Sequence, residues 1–273
     1  MTHPKIYGLI GFPVEHSLSP LMHNAAFKAL KINAEYKLIP LKEQELKPFL
    51  ASLKEKDICG LNVTVPYKEK VIPFLNNISS EAKLIGAVNT IKTGNNGLEG
   101  FNTDGAGFLK HLSEDLKFNP LGKLVAIIGA GGASRAISVY LAKVRPKAIS
   151  IYDIDKNKLS TLVSLLKANF NGIEIRAAAS LNDLKGADLL VNATPQGLKE
   201  SDPCPADGGL VKENMLVYDL IYNPKETKLL KLAKQLGAQT VNGLGMLLYQ
   251  GVLAFEIWTG EIAPVEIMRR ALT

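Results

Sequence analysis

The run Leu124-Val125-Ala126-Ile127-Ile128 passes directly into Gly129-Ala130-Gly131-Gly132-Ala133-Ser134-Arg135 and then into Ala136-Ile137-Ser138-Val139-Tyr140-Leu141. No other feature restricts the fold of this chain as much. Five consecutive apolar residues leave no polar face, so the strand they form must be covered on both sides, as in a parallel sheet flanked by helices. The glycines that follow allow backbone angles that a Cβ resists, and they bare N–H groups at the positive end of a helix, where a pyrophosphate docks. A glycine triplet alone marks only a tight turn. Strand, glycine turn and helix in that order form the dinucleotide-binding fingerprint. Ser134 replaces the usual third Gly or Ala and is small enough to keep the helix close to the sheet.

Asp153 closes the next apolar run about 20 residues further on, at the spacing where a carboxylate accepts hydrogen bonds from the adenosine ribose. Its charge repels the extra phosphate of NADP, and Asp155 adds a second carboxylate, so NAD is favoured over NADP. Arg135, Lys156 and Lys158 are the nearby cations that argue the other way. In a plainer reading, Asp153 and Asp155 only cap the helix that starts near Lys156.

The rest of the chain alternates short β-branched runs with amphipathic stretches, the pattern of α/β units. Strands are expected at 5–11, 35–39 and 59–65, helices at 20–30 and 43–54, and a hairpin whose arms, 87–91 and 97–103, flank Thr93-Gly94-Asn95-Asn96. A second unit opens near Leu121, with strands at 124–128, 148–152, 188–192 and 216–220. The apolar stretch 243–258 reads as a long helix, expected to return to the first unit because open two-domain enzymes often tie their halves with a terminal helix. This gives one domain of 1–106 plus 242–273 and another of 107–241.

With 47% hydrophobic and 21% charged residues, a chain of 273 can bury a real core. No apolar run reaches membrane-spanning length, and the first residues lack the marks of a signal peptide. Cys59 and Cys204 cannot form a disulfide framework, and a reducing cytoplasm is the natural compartment. The net charge of +6 comes from scattered lysines without a basic block or interleaved aromatics, so a solvated surface is expected rather than a nucleic-acid partner. His3, His16, His23 and His111 fit no metal-ligand spacing, and no metal is expected.

Three polar motifs precede the glycine turn. In Ser17-Leu18-Ser19-Pro20, Ser19 suits an N-cap with Pro20 at the first helical position, while the two hydroxyls at a helix start equally suit a carboxylate. In Asn62-Val63-Thr64-Val65-Pro66-Tyr67-Lys68, alternation puts Asn62 and Thr64 on one face of a strand end. Pro66 is expected to start a helical turn carrying Lys68. There the helix dipole and partial burial would favour a neutral amine able to take a proton from an alcohol; the alternative is a solvated surface lysine. Asp104, in Asn102-Thr103-Asp104-Gly105, is either an N-cap or a partner for that lysine and for a substrate hydroxyl.

Taken in order, these motifs resemble the shikimate dehydrogenase family over essentially the whole chain. Gly86-Ala87-Val88-Asn89-Thr90, Asn192-Ala193-Thr194 and Gly245-Met246-Leu247-Leu248-Tyr249-Gln250 join them in carrying the resemblance. It implies an N-terminal α/β substrate-binding domain, a Rossmann-type dinucleotide-binding domain, and C-terminal helices returning to the first, with the nicotinamide held against the ring in the cleft between domains. It implies Lys68 and Asp104 as the catalytic pair and Ser17, Ser19 and Tyr222 at the substrate carboxylate. Asn62, Thr64, Asn89, Asp104 and Gln250 would hold ring hydroxyls. The cofactor would lie against Gly129, Ala130, Gly131, Gly132, Ala133, Ser134, Asp153, Thr194 and Gly243.

The implied reaction is reversible hydride transfer between NAD or NADP and the 3-hydroxyl carbon of shikimate, giving 3-dehydroshikimate, in a cytoplasmic monomer or homodimer. NADP-using members resemble Asn-Arg-Thr where this chain has Asp153-Ile154-Asp155, a departure that again favours NAD. Leu198 stands where Met is common, a swap of little expected effect. Two alternatives stand beside this reading: a quinate or bifunctional quinate/shikimate dehydrogenase, which Ser19 argues against, and a non-catalytic nucleotide-binding sensor, which an intact Lys68 and Asp104 argue against.

Overall fold

A computed structural model describes residues 3–272. The chain forms two compact units, one running to Gly107 and resuming at Leu247, the other covering Phe108–Met246.

The first unit is built on β1 (Lys5–Gly11), α1 (Ser19–Ala29), β2 (Ala34–Pro40), α2 (Leu46–Ala51), β3 (Ile58–Val63), β4 (Asn77–Ile78), α3 (Ser80–Ile85), β5 (Thr90–Gly94) and β6 (Gly97–Phe101). Its sheet has the order β2-β1-β3-β5-β6-β4. β1 pairs in parallel with β2 and β3, whereas β5 pairs antiparallel with β3 and with β6 in the expected hairpin. On one side Ile10, Leu61, Val63, Val88 and Ile91 pack with Leu46, Leu50 and Leu53. Tyr7, Phe27, Phe255 and Trp258 form a separate aromatic cluster with ring centroids 5.1–5.3 Å apart.

Two local expectations are corrected here. No helix starts at Pro66: residues 64–71 run through turns, and only a short 3-10 turn follows at Ile72–Phe74. The Lys68 carbonyl accepts from the Val88 N–H at 2.8 Å, and the Tyr67 hydroxyl donates to the Leu41 carbonyl at 2.6 Å. With Lys68 O spent on a residue twenty positions on, the ladder of a helix cannot propagate. The helix-dipole argument for a neutral Lys68 falls with it. Nor is Ser19 an N-cap. Leu18 holds that position without a side-chain cap, Ser19 opens α1, and Ser17 Oγ accepts from the Ser19 N–H at 3.3 Å.

After β6 the chain enters α4 (Asp104–Glu114), whose first turn belongs to the first unit. The second unit then follows with β7 (Leu124–Ile128), α5 (Gly132–Lys143), β8 (Ala148–Tyr152), α6 (Lys156–Asn169), β9 (Glu174–Ala177), β10 (Leu189–Asn192), β11 (Leu216–Asp219), α7 (Lys228–Gln235) and β12 (Gln239–Val241). All its pairings are parallel, in the order β12-β11-β10-β7-β8-β9. Counted from β7 this is the doubly wound order 3-2-1-4-5-6 of dinucleotide-binding folds. The edge strands β9 and β12 are short and lack a continuous apolar run, which is why they left no mark in the sequence pattern. The long apolar helix α8 (Leu244–Thr259) and α9 (Val265–Arg270) end the chain. From Leu247 onward this segment is part of the first unit.

Candidate active site

The ends of β3 and β5 and the start of α4 gather the polar residues of the first unit. Lys68 Nζ donates to Asp104 Oδ2 at 2.6 Å. The other carboxylate oxygen, Oδ1, accepts from Asn89 Nδ2 at 2.8 Å. Asp104 is therefore neither a surface residue nor a cap: it opens α4 with both oxygens occupied by side chains. Its own side chain is 8% exposed and that of Lys68 22%, so the pair is buried on the carboxylate side and open on the amine side. Asn89 Oδ1 accepts from the Thr103 N–H at 2.8 Å, which fixes the amide so that its NH2 points to Asp104. Asn102 ties the entry to α4 by donating to the Ala87 carbonyl and accepting from the Asp104 N–H.

Asn62 sits buried beside this cluster, with Nδ2 donating to Asn89 O and Thr90 Oγ1, each at 3.2 Å. Thr64 is half-buried just past the end of β3, where its N–H donates to the Ile10 carbonyl. Ser17 and Ser19 lie together at the start of α1, with the Ser17 hydroxyl donating to Ser19 Oγ at 3.2 Å. Gln250 is buried on α8. A Cβ on Gly107 would stand 2.6 Å from the Gln250 backbone nitrogen, so the first turn of α4 lies directly against α8 at that residue.

The first unit thus holds Ser17, Ser19, Asn62, Thr64, Lys68, Asn89, Asp104 and Gln250. Tyr222 belongs to the second unit, in the loop after β11, where burial raises its phenol pKa. Four members of the first-unit network escaped the sequence reading as site residues: Tyr36, Thr90, Asn102 and Thr103. Thr90, Asn102 and Thr103 lay inside motifs already singled out, whereas Tyr36 looked like any inward residue of an alternating strand.

In the second unit, Gly129 has φ +108°, and a Cβ there would meet the Ala193 carbonyl at 2.9 Å. This close approach brings the turn after β7 against the loop after β10, the place where strand order reverses in such sheets and where ligands bind. Thr194 is fixed there by its N–H and hydroxyl, both donating to Asn192 Oδ1. Among the described residues nothing lies within 4 Å of a Cβ built on Gly131 or Gly132, so the start of α5 is uncovered by them on that side. Asp153 Oδ2 accepts from the Ala130 N–H at 2.6 Å and Oδ1 from the Asp155 N–H at 2.7 Å, pinning the end of β8 to the glycine turn. Asp155 caps α6 through the N–H groups of Asn157 and Lys158, which lower its pKa.

Ser134 is fully buried, and its hydroxyl has no partner among the described residues. It packs α5 inward and presents nothing to a ligand, which corrects its place among the cofactor contacts. Gly243, before α8, donates its N–H to the Ile221 carbonyl at 3.1 Å. An open helix N-terminus, a glycine at positive φ and a fixed carboxylate at the end of the second strand fit a dinucleotide.

A doubly wound sheet with this turn, on the same chain as a buried carboxylate–amine pair among amides and hydroxyls, defines a nicotinamide-dinucleotide oxidoreductase acting on a CH–OH group. Residues 9–91 match the family model described as the shikimate dehydrogenase substrate binding domain, and residues 243–273 match that of the shikimate 5'-dehydrogenase C-terminal domain. The shikimate dehydrogenase (NADP(+)) of Methanopyrus kandleri is 45% identical, over 98% of this chain and 94% of its own. The crystal structure of shikimate dehydrogenase from Aquifex aeolicus superposes with a TM-score of 0.91 at 40% identity, covering 100% of this chain and 99% of that one. That of shikimate 5-dehydrogenase from Listeria monocytogenes, in complex with shikimate and NAD, gives 0.92 at 33% identity, covering 100% and 98%. The chain belongs to the shikimate dehydrogenase family. No helix among the described residues is long and apolar enough to cross a membrane.

Proposed function

We propose that this chain catalyses the reversible oxidation of shikimate at its 3-hydroxyl carbon to 3-dehydroshikimate. The first unit binds the ring acid and the second binds the dinucleotide. The observation that carries this reading is the Lys68–Asp104–Asn89 cluster, an amine open on one side and held by a buried carboxylate. When bound, a nicotinamide dinucleotide exchanges the hydride with the carbinol carbon. Lys68 exchanges the accompanying proton with the hydroxyl oxygen, taking it as the C=O bond forms and returning it in reduction. Asp104 holds the amine in place and orients the hydroxyl. Ser17 and Ser19 at the start of α1, assisted by Tyr222, take the carboxylate, and Asn62, Thr64, Asn89 and Gln250 take the ring hydroxyls, so that one carbon alone is presented. Orientation of this kind supplies a large part of a barrier reduction.

NAD is the preferred cofactor in this reading, although the Methanopyrus kandleri relative is named for NADP(+). The support is electrostatic: Asp153 is fixed at the end of β8 by two backbone N–H groups, and Asp155 stands two residues on. Two carboxylates at the end of the second strand of a dinucleotide-binding sheet would repel an additional ribose phosphate. The unpaired Cys59 and Cys204 accord with a cytoplasmic setting.

The test is a four-way initial-rate assay of shikimate and quinate with NAD and NADP, run on the native protein and on Lys68→Ala. Shikimate with NAD is expected to give the highest kcat/KM. Lys68→Ala is expected to lower kcat about 10²–10⁴-fold with little change in KM. A higher kcat/KM with quinate would make the chain a quinate dehydrogenase. Cofactor binding without any turnover would make it a sensor, and a Lys68→Ala protein with near-native kcat would end the proton-transfer role.

A further inference from the structure

We infer that Tyr36 is a positioning residue that holds Asn62, and through it the network behind the Lys68–Asp104 pair, in one orientation, with His23 as its packing platform. Tyr36 lies on β2, is 2% exposed, and has no place in any motif of the sequence. Its hydroxyl donates to Asn62 Oδ1 at 2.7 Å. From this link to Asp104 the donors and acceptors run in one direction. Asn62 donates to Thr90, Thr90 to Asn89 Oδ1 at 2.9 Å, and Asn89 to Asp104 Oδ1. Asp104 accepts from Lys68 at the far end. Chains of hydrogen bonds aligned in this way polarise one another and hold each member in one orientation.

The Tyr36 hydroxyl is the link in this relay between β2 and β3. Its ring is held by His23, stacked face to face with centroids 4.4 Å apart and planes 8° from parallel. Both ring nitrogens of His23 are buried and have no partner among the described residues. An imidazole buried with no hydrogen bond to the described residues serves here through its flat face, not its polarity. Burial keeps it neutral and likewise keeps the Tyr36 phenol protonated, so the donor pattern stays fixed.

This inference rests on the proposed function, because its readout is the kinetics of shikimate oxidation. Losing one buried neutral hydrogen bond corresponds to about a 10-fold effect. Tyr36→Phe keeps the ring, the fold and the stack, and is expected to raise KM for shikimate about 10-fold and leave KM for the dinucleotide unchanged. Its effect on KM should also overlap with that of Asn62→Ala, so that the double variant is less impaired than the product of the two single effects. A purely structural tyrosine would shift thermal stability and leave the KM for shikimate alone.

A Tyr36→Phe protein that folds and keeps native kinetics, or two strictly multiplicative effects, overturns the inference. If Tyr36→Phe does not fold, His23→Leu carries the test: it removes the flat platform and keeps the Tyr36 hydroxyl. A severalfold rise in KM for shikimate then supports the inference, and an unchanged KM overturns it. Native protein that fails to oxidise shikimate at all overturns the proposed function instead, so the two failures are distinct.

Discussion

His23 also links packing to pH. Burial pushes its imidazole down to about 3, well below the usual 6.5. The unfolded chain therefore takes up a proton below pH 6.5 that the folded chain refuses, and stability falls as pH drops through that window while staying intact above it. At 1.36 kcal/mol per pH unit, the loss reaches about 2 kcal/mol by pH 5. Thermal unfolding of the native protein should weaken from pH 7 to pH 5, and His23→Leu should remove most of that slope. Parallel slopes for the two proteins would show that His23 is protonated in the fold. At this scale the sequence revealed residues whose chemistry is unusual for their place, such as Lys68 and Asp104 within polar motifs. It did not reveal Tyr36 or His23, because a buried tyrosine on an alternating strand and a histidine on an amphipathic helix look like ordinary core until their partners, far along the chain, are known.

Elements set by local chemistry were legible. β7 and α5 follow from an apolar run, glycines and a helix-forming stretch, all contiguous. The missing helix at Pro66 shows the opposite case: its Lys68 carbonyl is taken by Val88, and a contact across twenty residues leaves no local trace. The strand–turn–helix junction also fixes what Gly129 can become. At φ +108°, with the Ala193 carbonyl 2.9 Å from any added Cβ, Gly129→Ala combines backbone strain with overpacking. The expected cost is about 1–3 kcal/mol, read as a lowered Tm. The altered turn should also shift the Ala130–Asp153 bond beside it and raise KM for the dinucleotide, with KM for the ring acid unchanged. A native Tm would mean that the loop after β10 yields freely, and with it the argument that this loop is held in place for a cofactor.

The two units differ in how they are assembled, and this sets the behaviour of the whole chain. The second unit is one continuous segment, Phe108–Met246, with a complete six-stranded sheet and a core of its own around Ala126, Leu190, Val217, Leu229 and Leu230. It also keeps its own closing contacts: His111 Nδ1 and the Tyr218 hydroxyl lie 2.7 Å apart, and Gly245 packs against the His111 ring. The first unit is discontinuous. Residues after Met246 supply Phe255 and Trp258 to the aromatic cluster, and Trp258 Nε1 donates to the Ile91 carbonyl at 2.9 Å. The period and apolarity of the last long helix made that segment visible in the sequence as a buried element, whereas the partners of its two aromatic rings are set by packing alone. A fragment of residues 108–246 should therefore fold independently, with α/β circular dichroism and one cooperative thermal transition. A chain ending at Met246 should retain that transition while exposing Tyr7 and Phe27 of the first unit, seen as binding of a hydrophobic dye. The result against this reading is a 108–246 fragment that melts without cooperativity. It would mean that the second core is completed by residues outside its own segment.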